Sequence, residues 1–241
     1  MHSNRGGWGW ARDGWGWALA APLLALLVAL ALLAGPSLID RAPPAPGSPT
    51  RARLEQLLAA VRVVPHRPHP GGYERGCGTG QGCVFGAAWS GPGGGCDSRN
   101  SVLARQLRAV RYRAHAGDCV VTGGTLQDPY TGRSVAFDRS NARAVQIDHV
   151  YPLAAAWDMG AATWPLPQRI RFANDIEYNL LAVDGRANED KGDRTPADWL
   201  PPARAYRCYY AGKYLTTATR YALPITSADR DALHRVARDC P

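Results

Sequence analysis

All six cysteines of this chain, Cys77, Cys83, Cys96, Cys119, Cys208 and Cys240, lie beyond a wholly apolar run from Ala18 to Ala34. A run of that kind near an amino terminus delivers the rest of the chain to an oxidising compartment, where paired thiols become covalent ties. An even count then limits the fold to conformations that bring the cysteines together in twos. Spacing alone admits fifteen pairings of six cysteines. The set expected here is Cys77–Cys83 as a local loop staple, Cys96–Cys119, and Cys208–Cys240. A zinc site is the rival use of these residues, but no Cys-x-x-Cys pair occurs and the histidines are not spaced to complete one.

A helix over Ala18–Ala34 would reach about 25 Å, slightly short of a hydrocarbon core of about 30 Å. A cleaved signal peptide needs small residues before the cut, and Leu32 is a poor third residue before a cut after Ala34. Trp8, Trp10, Trp15 and Trp17 would form an interfacial belt, which favours an uncleaved anchor. The expected organisation is a short leading region (1–17), a transmembrane signal anchor or signal peptide (18–34), a proline-rich spacer (35–50) and one domain (51–241). Either way the domain is extracytoplasmic, anchored in the membrane or secreted.

Hydrophobic residues make up 46% of the chain and charged residues 20%, a balance that excludes a disordered polymer. The net charge of +8 is uneven: residues 51–147 carry +7, and residues 148–241 carry none. Of the 28 cationic residues only Lys191 and Lys213 are lysines. An arginine-rich face fits a polyanionic partner, because the guanidinium fork matches phosphate oxygens.

Leu54, Leu57, Leu58 and Val61 recur at helical spacing and predict a helix over 51–63. The stretch from Gly71 to Gly95 reads as loop, and His66 and His69, set among prolines, as linker. Asp97 or Ser98 would cap a helix over about 99–110 that carries Arg105 and Arg108 outward. The β-branched content around Cys119–Val121 and Ser134–Phe137 predicts a hairpin closed by Asp128-Pro129-Tyr130-Thr131-Gly132. Ala154–Met159 and Gln168–Ala173 look helical, with Trp157 and Trp164 read as core. Residues 206–241 look like two helices tied by Cys208–Cys240.

The chemistry concentrates in residues 145–199. Val145 to Val150 reads as a buried strand interrupted by Asp148-His149, and two polar groups placed there cost free energy unless they are bound to something. Asn179 opens a second strand over 179–183. Residues 186–192 read as a short helix, with Asn188 and Lys191 three apart and so on one face. Asp193, just after, reads as a cap or buttress.

Strand, strand and helix bearing Asp-His, Asn and Asn-x-x-Lys resemble the HNH (ββα-metal) nucleases. Over most of 71–241 the chain is also similar to exported HNH proteins of high-GC Gram-positive bacteria, through Gly95–Asn100, the DPYTG turn and Pro196–Pro202. The resemblance implies an α+β fold, with a ββα-metal core embedded in a mainly helical, disulfide-tied domain. It implies an exported endonuclease that hydrolyses phosphodiester bonds, DNA above all; no protein partner is evident in the sequence, and a monomer is expected. Phosphodiester hydrolysis needs a base near its working pKa, a role that falls to His149. It also needs charge on the leaving oxygen, for which Asp148 and Asn188 would ligate one Mg²⁺ or Mn²⁺. The name-giving histidine is Asn188 here, which favours a hard, oxygen-preferring cation. Asn179 would fix the loop carrying His149, and Lys191 would touch the phosphate. Arg99, Arg105 and Arg108 are the candidate substrate contacts. No helix-turn-helix, finger or separate reading domain is present, so cutting with little sequence specificity is expected. The alternative is a non-catalytic envelope protein that uses such a scaffold to bind DNA or an acidic polymer.

Overall fold

The structure, a computed structural model, describes residues 2, 43–91, 95–115 and 117–241. The apolar run at 18–34 and its tryptophans lie outside these residues. Among the described residues, no helix is long and apolar enough to cross a membrane. The unit that carries the expected chemistry is Pro43–Pro241.

Thr50 accepts a hydrogen bond from Arg53 N and starts α1 (Arg51–Ala60), which buries Leu54, Leu57 and Leu58. The described part of the expected spacer is packed rather than free. Ala45 is buried and its N–H donates to Ala205 O at 2.8 Å. The segment Pro-His-Arg-Pro-His-Pro, expected as linker, is also seated, because Arg67 pairs with Asp158 at 2.7 Å and with Asp193 at 2.9 Å. A two-residue strand, β1 (Val63–Val64), pairs in parallel with β7 (Ile225–Thr226).

Asp97 caps α2 (Ser98–Gln106), but this helix stops four residues short of the expected end. Residues Leu107–Tyr112 form β2 instead, antiparallel to β3 (Val121–Gln127), which pairs in turn with β4 (Ser134–Asp138). The spacing of Leu103, Leu107 and Val110 suits a helix, yet Leu107 pairs with Leu126 of β3, and Val110 falls within β2 at the register shift, where Ala109 takes a positive φ of 48°. The hairpin turn is the expected one, with Asp128 N–H donating to Arg133 O at 2.8 Å.

β5 (Val145–His149) and β6 (Leu180–Asp184) form an antiparallel pair, with His149 opposite Leu180. Between them run α3 (Leu153–Asp158) and α4 (Leu166–Ala173), close to the expected helices. Then α5 (Gly185–Lys191) follows β6 without a linker. A Cβ at Gly185 would lie 1.9 Å from Arg143 O, so only glycine allows the chain to turn from strand to helix there. α6 (Arg207–Arg220) and α7 (Ser227–Ala237) close the unit, tied by Cys208–Cys240. All three disulfides pair as expected.

The β5–β6 pair stands between two apolar clusters. Val145, Ile147, Leu180 and Ala182 pack with α2 and the three-stranded sheet, through Leu103, Leu126 and Phe137. Leu181 and Val183 face a larger cluster built on α1, α3, α4, α6 and α7, with Tyr151, Phe172 and Tyr214 inside it. The result is a mixed α+β unit tied by three disulfides. A pair buried on both faces holds its polar residues where the core puts them.

Candidate active site

Neighbouring residues on a strand point to opposite faces, and that rule divides Asp148 from His149. Asp148 shares a face with Gln146, toward α5. Lys191, in the last turn of α5, donates from Nζ to Asp148 Oδ1 and to His149 O, both at 3.0 Å. Its side chain is wholly buried. The Tyr130 hydroxyl donates to the other Asp148 oxygen. Burial pushes the Asp148 carboxyl above its ordinary range, while the Lys191 ammonium and the Tyr130 hydroxyl pull it back. The group is a compensated charge inside the protein.

Tyr130 reaches this position because the DPYTG turn folds inward. Asp128, itself buried, accepts from Thr131 N at 2.7 Å and from Asp184 N at 2.9 Å, tying the turn to the start of α5. Trp199 packs edge-on against the Tyr130 ring at 4.8 Å. Sequence reasoning finds only a turn in the DPYTG segment. The signal for more is an aromatic placed where a turn needs none.

His149 lies on the other face. Its Nε2 is 2.8 Å from Ala173 O, at the end of α4. A carbonyl oxygen only accepts, so Nε2 carries the proton and Nδ1 keeps a lone pair, a tautomer assigned from this bond. Burial, and then the positive charge of Arg75, push the imidazole down to about 3. The ring is therefore neutral at ordinary pH. It lines a cavity of about 360 Å³ together with Arg75, Phe85, Trp89 and Leu153.

Asn179, fully buried, clamps the chain just past His149. Its Oδ1 accepts from Tyr151 N at 2.8 Å, its Nδ2 donates to Tyr151 O at 3.3 Å, and its own carbonyl accepts from Val150 N at 2.8 Å. These bonds replace the strand ladder where β5 ends.

None of the remaining expected site residues lines the cavity at His149, although Lys191 bonds the His149 carbonyl. Asn188 donates from Nδ2 to Gln146 Oε1 at 2.8 Å, and Gln146 donates to Glu189 at 2.9 Å. Arg99 donates to the carbonyls of Ala142 and Val145, at 3.3 and 3.1 Å. Arg105 pairs with Glu177 at 3.4 Å across an exposed contact. Arg108 is on β2, not on the expected helix face. Lys191 is wholly buried, with its ammonium on Asp148 and the His149 carbonyl.

Asp148 and Asn188 are the right kind of donors for a hard cation, since both offer oxygen. Their arrangement does not fit one. Both Asp148 oxygens are already within 3.0 Å of the Lys191 ammonium, and a cation would have to displace it. Among the described residues no group of three or more His, Cys, Asp or Glu converges on a point.

The strand pair β5–β6, followed directly by α5, thus brings a neutral, oriented histidine to the lining of a cavity. A family model described as the C-terminal domain of GmrSD restriction endonucleases matches residues 97–236, more than half of the chain. The chain belongs to that family. An "Uncharacterized secreted protein" of Arthroderma benhamiae is 35% identical over 218 residues, covering 90% of this chain and 98% of that protein. No solved structure matches the chain.

Proposed function

We propose that this protein is an exported endonuclease that hydrolyses phosphodiester bonds of nucleic acid, DNA foremost, with little sequence specificity. One observation carries the reading: His149 is neutral, has Nε2–H fixed on a carbonyl, and lines an open cavity. Membership of a restriction-endonuclease family supports it. Export is supported by the three disulfides and by a relative whose name includes "secreted". The strand–strand–helix of β5, β6 and α5 is the ββα core in this reading.

His149 Nδ1 takes a proton from a water molecule as that water attacks phosphorus. Burial and Arg75 disfavour the imidazolium before substrate binds. The Ala173 carbonyl, which tightens on Nε2–H as positive charge develops, and a bound phosphate facing Arg75 would offset them. The phosphorus–oxygen bond to the leaving strand then breaks, and the leaving oxygen takes a proton from solvent or from the imidazolium. Asn179 holds the backbone past His149, so the ring keeps its aim. Lys191 and Asp148 act as positioning residues, because Lys191 also ties down the carbonyl of His149. A divalent cation such as Mg²⁺ or Mn²⁺ is the cofactor expected from the family resemblance, and this chain admits it only where Lys191 gives up Asp148.

The test is incubation of the disulfide-intact full chain with plasmid DNA, a single-stranded oligonucleotide and RNA in Mg²⁺ buffer. Cleavage that His149→Ala removes, in a variant that still binds the strand, is the expected result. Binding with no cleavage of any substrate would favour the non-catalytic scaffold instead.

A further inference from the structure

The cavity at His149 is walled by a segment that the family match does not reach. Residues 71–91 precede the matched span, which starts at 97. They are rich in glycine, yet they are firmly built. Cys77–Cys83 closes the loop, Cys83 N–H donates to Gly76 O at 2.9 Å, and Val84 N–H donates to Glu74 O at 3.0 Å. The Trp157 indole donates to Gly71 O at 2.7 Å. Phe85 is 2% exposed and packs against Trp157 and Phe172 with ring centroids 6.3 and 6.1 Å away. At Gly86 a Cβ would lie 2.5 Å from the Ile170 side chain, so the loop presses directly onto α4.

This wall sets two side chains beside His149. Trp89 has its ring within 12° of parallel to the imidazole, with centroids 6.3 Å apart. It is half-buried and sits at a φ of 62°, a left-handed conformation that is costly for a bulky residue. Strain of that kind persists where surroundings over-determine it, and it clusters at ligand sites. Arg75 is exposed, lines the same cavity, and has no ion pair among the described residues. The rest of the lining is largely apolar: Phe85, Ala87, Leu153 and Ala173. A phosphodiester backbone gains nothing from such walls, whereas the faces of an unstacked base do. A volume of about 360 Å³ is small for a ligand site, toward the lower end of the usual range of roughly 300–1,000 Å³. It takes a nucleotide-sized group, not a duplex.

We propose that this cavity seats one unpaired base beside the scissile phosphate, with Trp89 as its stacking face and Arg75 on the phosphate. The substrate class is then single-stranded nucleic acid. The inference rests on the nuclease reading of His149, and its test separates the two. Cleavage of a labelled single strand, as DNA and as RNA, is compared with cleavage of the same strand annealed to its complement. Single strands are expected to be cut at least about tenfold faster. Trp89→Ala should raise KM on the single strand roughly five- to a hundredfold, and Trp89→Phe, which keeps a flat ring, should restore most of the loss. Arg75→Gln should raise KM and flatten its salt dependence.

Equal rates on single strand and duplex in the wild type would overturn the proposal while leaving the nuclease standing. So would a Trp89→Ala variant that loses both activities in the same ratio. If no substrate is cut, the nuclease reading fails and binding decides the pocket by itself. Tighter binding of the labelled single strand, lost in Trp89→Ala and kept in Trp89→Phe, supports it, and equal binding of both forms rejects it. The comparison of wild-type rates needs no variant, so a misfolded Trp89→Ala would not shield the proposal.

Discussion

Lys191 is one of two lysines in the chain, and its ammonium is buried against Asp148 and the carbonyl of His149. Buried charges are stable only as a set, and removing one partner strands the other. Lys191→Met should therefore lower stability by about 3–5 kcal/mol in denaturant unfolding. Adding Asp148→Asn to it should recover part of that loss, because the amide needs no counter-charge. The same pairing means that millimolar Mg²⁺ should leave the melting temperature of the wild type in place, while raising that of Lys191→Met, whose Asp148 is uncompensated. A Mg²⁺-dependent rise in the wild type would show that a cation displaces the lysine. At this scale the sequence is informative about identity and silent about direction. Asp148, His149, Asn179 and Lys191 stand out as polar residues in or beside apolar strands. Strand alternation alone already separates Asp148 from His149, but only packing shows that Lys191 takes the Asp148 side. Trp89 and Arg75 have no such signal, since they lie in a glycine-rich stretch with no periodicity to read.

The elements differ in how much local sequence controls them. α1 and the hairpin closed by Asp128–Gly132 follow from capping, spacing and turn chemistry, and they fall where expected. α2 does not. Its apolar spacing runs past Gln106, yet Gln106 Oε1 accepts from Ala182 N at 2.8 Å and the chain after it joins β3. A long-range pairing ends the helix, and no local residue announces it. The disulfides show a similar division of work. Cys208–Cys240, with a separation of 32, closes α6 onto the C-terminal tail. Replacing both cysteines with serine should cost about 3–4 kcal/mol of stability with the site chemistry intact. Cys77–Cys83, with a separation of 6, closes only the wall of the cavity. Its removal should cost about 2 kcal/mol at most and show mainly as a higher KM for nucleic acid. Equal thermal shifts and equal kinetic effects from the two double variants would contradict this division.

For the whole molecule, charge and chemistry occupy different parts of the chain. The +7 surplus of residues 51–147 includes Arg75 at the cavity mouth, Arg105 and Arg108. Residues 148–241 are neutral in sum and carry the histidine, its clamp and the buried ion pair. Binding should weaken steeply as salt rises, with a slope set by how many arginines meet phosphate. The central proposal, however, is chemical: that His149 acts as the base. Its most direct measurement is single-turnover cleavage of a single-stranded oligonucleotide by His149→Gly, with and without added imidazole. A base at this position predicts a loss of about 10²–10⁴-fold and a partial recovery as imidazole enters the vacated cavity. A His149→Gly variant that cuts within twofold of the wild type would contradict it.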